Sequence, residues 1–127
     1  MSDTTTRGIR VQVESLYDPD RSSPEESYYF FAYHVRISNV GCETAQLVSR
    51  KWLITDADGN EQPVQGPGVV GEQPTLALGE TFEYTSFCPL STPVGAMRGS
   101  YRMVCKSGVE FDAEIAPFSL AAPHVVN

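Results

Sequence analysis

Histidine, cysteine and positive charge are all in short supply in this chain. Lys and Arg together number 9 against 16 Asp and Glu, a formal charge of −7 over 127 residues. A chain of that balance has no basic face for sequence-independent binding of DNA or RNA, nor for an anionic membrane surface. The two histidines, His34 and His124, are too few for a His-rich metal centre or a chain of proton relays. The three cysteines, Cys42, Cys88 and Cys105, form an odd set without a CxxC pair, so neither a disulfide framework nor a zinc knuckle is expected, and free thiols are. No apolar run approaches the ~18 residues of a membrane span, and residues 1–6 lack the basic start and apolar core of a secretory signal. The expected location is the cytoplasm.

Catalytic signatures are also missing. Ser86 lies in no GxSxG elbow, and Cys88 has Pro89 and Leu90 beside it rather than a base that would make it a nucleophile. A buried or half-buried thiol is the plainer reading of Cys88, and a solvent-facing side chain that of His34. No catalytic residue, cofactor or metal site is assigned, and the chain is not expected to be an enzyme.

What the sequence has in quantity is alternation. Ile9, Val11 and Val13 alternate with polar residues, as do Tyr29, Phe31, Tyr33, Val35 and Ile37, and a period of two places each set on one face of a pleated strand. Val48, Trp52 and Ile54 mark a third strand, with Trp52 as a core anchor, and Asp58-Gly59-Asn60 supplies a hairpin turn into residues 61–64. Phe82, Tyr84 and Ser86 share a face. Met97, Gly99, Tyr101, Met103 and Cys105 form another row, and Ser107-Gly108 turns into Val109, Phe111, Ala113 and Ile115. Residues 18–27 carry two prolines and no apolar side chain and read as a long mobile loop, and 121–127 as a tail. Pro89, Pro93 and Gly95 exclude a central strand over 88–95 and require a further loop. The sum is a single all-β domain over 1–127, an immunoglobulin-like or fibronectin type III-like antiparallel sandwich of about seven to eight strands.

One motif cuts across this reading. Gly66, Gly68 and Gly71 spell GxGxxG, which in a dinucleotide fold must leave a strand and open a helix. Here Glu72, Gln73 and Pro74 follow, then Leu76, Leu78, Phe82 and Tyr84 in strand-like alternation, so no helix opens. The loop around Gly66, Gly68, Val69, Val70 and Gly71 admits two readings. Its N–H groups form an anion-binding nest, or its glycines supply the backbone angles of a bulge or corner. Residues 52–97 contain no Lys or Arg, so phosphate-binding cations would come from Arg50, Lys51, Arg98 and Arg102. Asp56, Asp58, Asn60 and Glu61 crowd oxygen ligands together, but Gly59 and Pro67 fall where a calcium loop needs other residues. A hairpin turn bonded by its own Asp and Asn side chains is the simpler account.

Several motifs in order, Ser49-Arg50-Lys51-Trp52-Leu53-Ile54-Thr55-Asp56, the 66–74 loop, Tyr84 through Leu90, Gly95 through Tyr101, and Phe111 through Leu120, resemble the ApaG family over most of the chain. Lysine stands at position 51, where the family often has histidine. The resemblance implies a fibronectin type III-like sandwich, and an association with cobalt tolerance and magnesium efflux. It implies no catalytic residues. The expected function is therefore a non-enzymatic interaction module, monomer or weak homodimer, that shows the 66–74 loop and an exposed edge or aromatic patch around Tyr28, Tyr29 and Phe30 to a protein partner. The rival expectation is a binder of a phosphometabolite or nucleotide, or a hydrolase of one, that uses the glycine loop.

Overall fold

The computed structural model describes residues 1–41 and 43–123. Cys42 and His124, with most of the expected tail, lie outside the described residues. Among the described residues nine strands form two antiparallel sheets: β1 (Ser2–Thr6), β2 (Ile9–Tyr17), β3 (Tyr29–Asn39), β4 (Ala45–Asp56), β5 (Glu61–Pro67), β6 (Thr75–Leu76), β7 (Thr81–Leu90), β8 (Val94–Cys105) and β9 (Glu110–Ala121). The first sheet runs β1-β2-β3-β7 and the second β5-β4-β8-β9, with β6 on the same edge of β4 as β5. This is the expected sandwich. Among the described residues no helix is long and apolar enough to cross a membrane.

The alternating rows set the two inner faces. Ile9, Val11, Val13, Val35, Ile37, Leu47, Tyr101, Met103, Ala113 and Leu120 are fully enclosed, and Trp52 retains 2 % exposure. Trp52 stands edge-on to Tyr33, Tyr101 and Phe118, with ring centroids 5.4, 6.3 and 5.9 Å away, an arrangement that suits the quadrupoles of the rings.

Two β-bulges break the strict period. On β4 the register against β8 slips between Leu47 and Ser49, so Val48 is the extra residue and both Leu47 and Trp52, five apart, face the core. On β9 the slip opposite Met97 and Gly99 leaves Ala116 and Pro117 unpaired. Ile115 and Phe118, three apart, are consequently both buried, and Pro117 sits where no ladder N–H is needed.

The strand total exceeds the expectation at two places. Strand β1 is polar and carries no apolar alternation; pairing with β2 makes it a strand, with Asp3 and Arg10 bridged at 2.6 Å across the ladder. Strand β6 is two residues long. The expected 88–95 loop shrinks to residues 91–93, because Pro89 lies in β7, an edge strand, where a missing N–H is tolerated. Within 18–27 there are two single-turn 3-10 helices, Pro19–Arg21 and Pro24–Glu26. Asp18 caps the first, accepting bonds from the N–H groups of Asp20 and Arg21. The segment is stitched to β3 by the Asp18 N–H donating to the Phe30 carbonyl and the Phe30 N–H donating to Ser22 Oγ.

Candidate functional site

The glycine loop bridges a gap. One edge of β4 is occupied by β5 from Ser49 to Thr55 and by β6 at Ala45 and Gln46, and residues 68–74 cross between them opposite the bulged Val48. The Val48 carbonyl accepts bonds from the Gly68 N–H at 3.0 Å and from Gln73 Nε2 at 2.9 Å. Val69 and Glu72 exchange two backbone bonds, at 2.8 and 2.9 Å, and Val69 is fully buried while Val70 is exposed. Gly68 has φ +57°, and a Cβ there would collide with the Glu72 carbonyl, so this position accepts only glycine. At Gly66 a Cβ would meet the Arg50 guanidinium at 2.9–3.0 Å.

Arg50 explains the turn of that loop. Its Nη1 donates to the carbonyls of Pro67 at 3.0 Å and Gly68 at 2.9 Å, so the inner side of the loop turns oxygens, rather than N–H groups, toward the cation. Of the four expected cations, Arg50, Lys51 and Arg102 border a 540 Å³ groove with Ser49, Gln65 and Gly66, and Arg98 borders a neighbouring one with Lys51, Leu53 and Pro63. Arg102 is engaged by Asp112 at 2.8 Å and Glu110 at 3.3 Å.

Strand parity places Arg50 with Trp52 and Ile54. A second cleft, of 280 Å³, opens between the sheets at the mouth between the edge strands β5 and β7, and Arg50 borders it with Tyr33, Trp52, Ser86, Phe87 and Cys88. Burial pushes the Cys88 thiol up to about 11, which leaves it almost wholly protonated near neutrality. Burial also raises the phenols of Tyr33, Tyr84 and Tyr101, and the Arg50 charge partly opposes this at all three. Tyr84 and Tyr101 share a hydroxyl–hydroxyl bond across the sandwich. Trp52 Nε1 is buried with no hydrogen-bond partner among the described residues.

On the outer face of the first sheet, Phe30 and Phe87 stack at 5.4 Å and Tyr28 lies 6.2 Å from Phe30. Arg21, held by the Asp18-capped turn, lies over both stacked rings, 5.5 and 5.2 Å from their centroids. Phe87 is 48 % exposed, Tyr28 41 % and Leu16 71 %; Leu16 and Phe87 flank Ala32 in the strand register. Tyr29, expected beside them, packs instead against the core. Phe87 and Leu16 were missing from the sequence-based patch. Their parity placed them outward, but only the β2-β3-β7 register brings them to Phe30.

The other end of this face is polar. His34 bonds Thr85 Oγ1 through Nδ1 at 2.9 Å and Glu83 Oε1 through Nε2 at 2.8 Å, and that bond, against a small burial effect, lowers the Glu83 carboxyl. In the 56–61 turn, burial tends to raise the Asp56 carboxyl, but bonds from Asn60, Asp58 and Gly59 outweigh it and hold it down. Among the described residues no group of three or more His, Cys, Asp or Glu is placed to hold a metal ion.

Residues 19–105 match the family model described as the ApaG domain. A Protein ApaG of Anaeromyxobacter sp. (strain K) is 55 % identical over 127 residues, all of both chains. One from Rhodospirillum centenum is 56 % identical over 124 residues, 98 % of this chain and 95 % of its own. The crystal structure of an ApaA protein from Bordetella pertussis superimposes with a TM-score of 0.89 at 52 % identity, over 92 % of this chain and 95 % of that one.

Proposed function

The chain belongs to the ApaG family, and from that premise we propose that it works as a non-catalytic docking module whose aromatic ladder, Tyr28, Phe30 and Phe87 with Leu16 beside it, seats a protein partner. The observation that carries this reading is the stack itself. Large rings lie exposed on a rigid sheet face, preordered by one another and by the overlying Arg21. Aromatic and arginine side chains so held contribute contact area at low entropic cost, which is why they dominate interface energetics. Scattered apolar residues need no such explanation; a contiguous stacked group does. The association with cobalt tolerance and magnesium efflux that the family resemblance implies is then indirect, exerted through the partner. The loop geometry supports this reading over anion capture at residues 66–71, since the N–H groups of Gly68, Val69 and Glu72 are already bonded within the fold.

The test is site-specific photo-crosslinking in cells, with benzoylphenylalanine replacing Phe87 and, in a control, Arg102 on the opposite sheet. A discrete adduct is expected from position 87, absent from position 102, and lost when Phe30→Ala is added. No adduct, or the same adduct from both positions, would overturn the proposal.

A further inference from the structure

Arg50 is a half-buried cation without a counter-ion among the described residues. Among the described residues its bonds run from Nη1 to two neutral carbonyls and it forms no salt bridge, whereas Arg10, Arg21 and Arg102 each hold a carboxylate. An uncompensated charge at the mouth of a cleft is costly to the fold. Beside it stand the Ser86 hydroxyl and the rings of Tyr33 and Trp52. Trp52 adds a buried indole N–H without an acceptor among the described residues. A concave space lined by aromatic and aliphatic side chains with a few polar groups and one cation has the make-up of a small-ligand site.

We propose that the cleft between the edge strands β5 and β7 binds a small organic monoanion, a carboxylate on a planar apolar body, with Arg50 taking the carboxylate and the apolar lining of Tyr33, Trp52, Ile54 and Val64 receiving the body. The single guanidinium fixes the charge. A carboxylate matches it and accepts a charge-assisted bond in good geometry, whereas phosphate or pyrophosphate would bring excess negative charge that no second cation of the cleft offsets. The cleft of 280 Å³ has room for a ring bearing one carboxylate. Access is from the mouth between two strand edges, one of which, β5, carries Pro63 and Pro67 and so resists extension by another strand. This goes beyond the docking ladder, which lies on the outer face of the first sheet.

Trp52 is the sole tryptophan of the chain and borders the cleft, so its fluorescence reports occupancy directly. The probes are benzoate, its neutral isostere benzamide, and inorganic pyrophosphate, titrated against the wild type, Arg50→Gln and Val64→Phe. Val64 borders the cleft, and a phenyl ring there fills it while leaving Arg50 in place; circular dichroism confirms that each variant is folded. Expected are a saturable change with benzoate in the millimolar range, at least about tenfold weaker binding of benzamide and of folded Arg50→Gln, and no saturation with pyrophosphate. Folded Val64→Phe should lose the benzoate response even if Arg50→Gln fails to fold. Equal responses to benzoate and benzamide, stronger binding of pyrophosphate, an undiminished response in either variant, or no saturable response at all would overturn the proposal.

Discussion

The two flanks of the sandwich are built on different terms. Where β9 meets β1 and β2 the flank is sealed: Ile9, Val11, Val13, Ala113 and Leu120 are fully enclosed, Ser15 Oγ donates to the Ser119 carbonyl at 2.8 Å, and the Glu114 N–H donates to Thr6 Oγ1 at 3.1 Å. Where β5 faces β7 the flank stays open, and here collect a cation and an indole N–H that lack a counter-ion and an acceptor among the described residues, a protonated thiol and, just outside, the stacked rings of Phe30 and Phe87. A sandwich closed on both flanks would gain apolar burial. Leaving one open preserves a place where polar groups remain unspent, and unspent groups are what binding uses.

A matched pair of substitutions is the strongest way to break this comparison. Val13→Ala, on the sealed flank, should cost about 2–3 kcal/mol through lost burial and the cavity left behind. Val64→Ala, at the open mouth, should cost less than about 1 kcal/mol because solvent already reaches the site. Urea unfolding compares them, and equal costs would mean that the two flanks are packed alike.

Tyr84→Phe sharpens the comparison between the sheets. It leaves the Tyr101 hydroxyl buried without its partner and should cost about 1–3 kcal/mol; a neutral outcome would show that this hydroxyl pair does not hold the sheets together.

Alkaline pH should act selectively. The Cys88 thiol rises from an ordinary 9.0 to about 11 on folding, so above pH 9 the unfolded chain has released a proton that the folded chain keeps. Stability should be intact below pH 9 and fall between pH 9 and 11, with Tyr33, Tyr84 and Tyr101, also raised, extending the loss upward. Among the described residues these groups lie in β3, β7 and β8, none in the sealed flank. Cys88→Ala should flatten the slope from pH 9 to 11 in the unfolding midpoint, and an unchanged slope would remove Cys88 as its source. The smallest effect is expected at Asp3: its bridge to Arg10 is exposed, and Asp3→Asn should leave the unfolding midpoint where it was, with or without salt.

Much of this was legible in the sequence, for definite reasons. The rows of β2, β3 and β9 announced themselves because each buries one face, and the two-sheet architecture follows from them. Strand β1 escaped notice because Ser2 to Thr6 offers no apolar side chain, only backbone bonds to β2. The bulges at Val48 and at Ala116–Pro117 were hidden, since an inserted residue leaves no compositional mark; the sequence grouped Val48 with Trp52, whereas Leu47 is the core neighbour. Arg50 was named with Lys51, with which it borders one groove, but strand parity also sets it beside Trp52. The relation of Arg50 to Trp52, two residues apart on one strand, was the available signal that this arginine faces inward. The ladder depends on register between strands, where Ala32 brings Phe87 beside Leu16, and no single strand records it.

The most direct measurement places stability and partner capture side by side in Val13→Ala and Phe87→Ala, with the photo-crosslinker moved to position 28 in both. The division of labour between the flanks predicts that Phe87→Ala abolishes the adduct while unfolding within about 1 kcal/mol of the wild type, and that folded Val13→Ala loses stability yet keeps the adduct. An adduct that survives Phe87→Ala, or a Phe87→Ala protein as unstable as Val13→Ala, would contradict it.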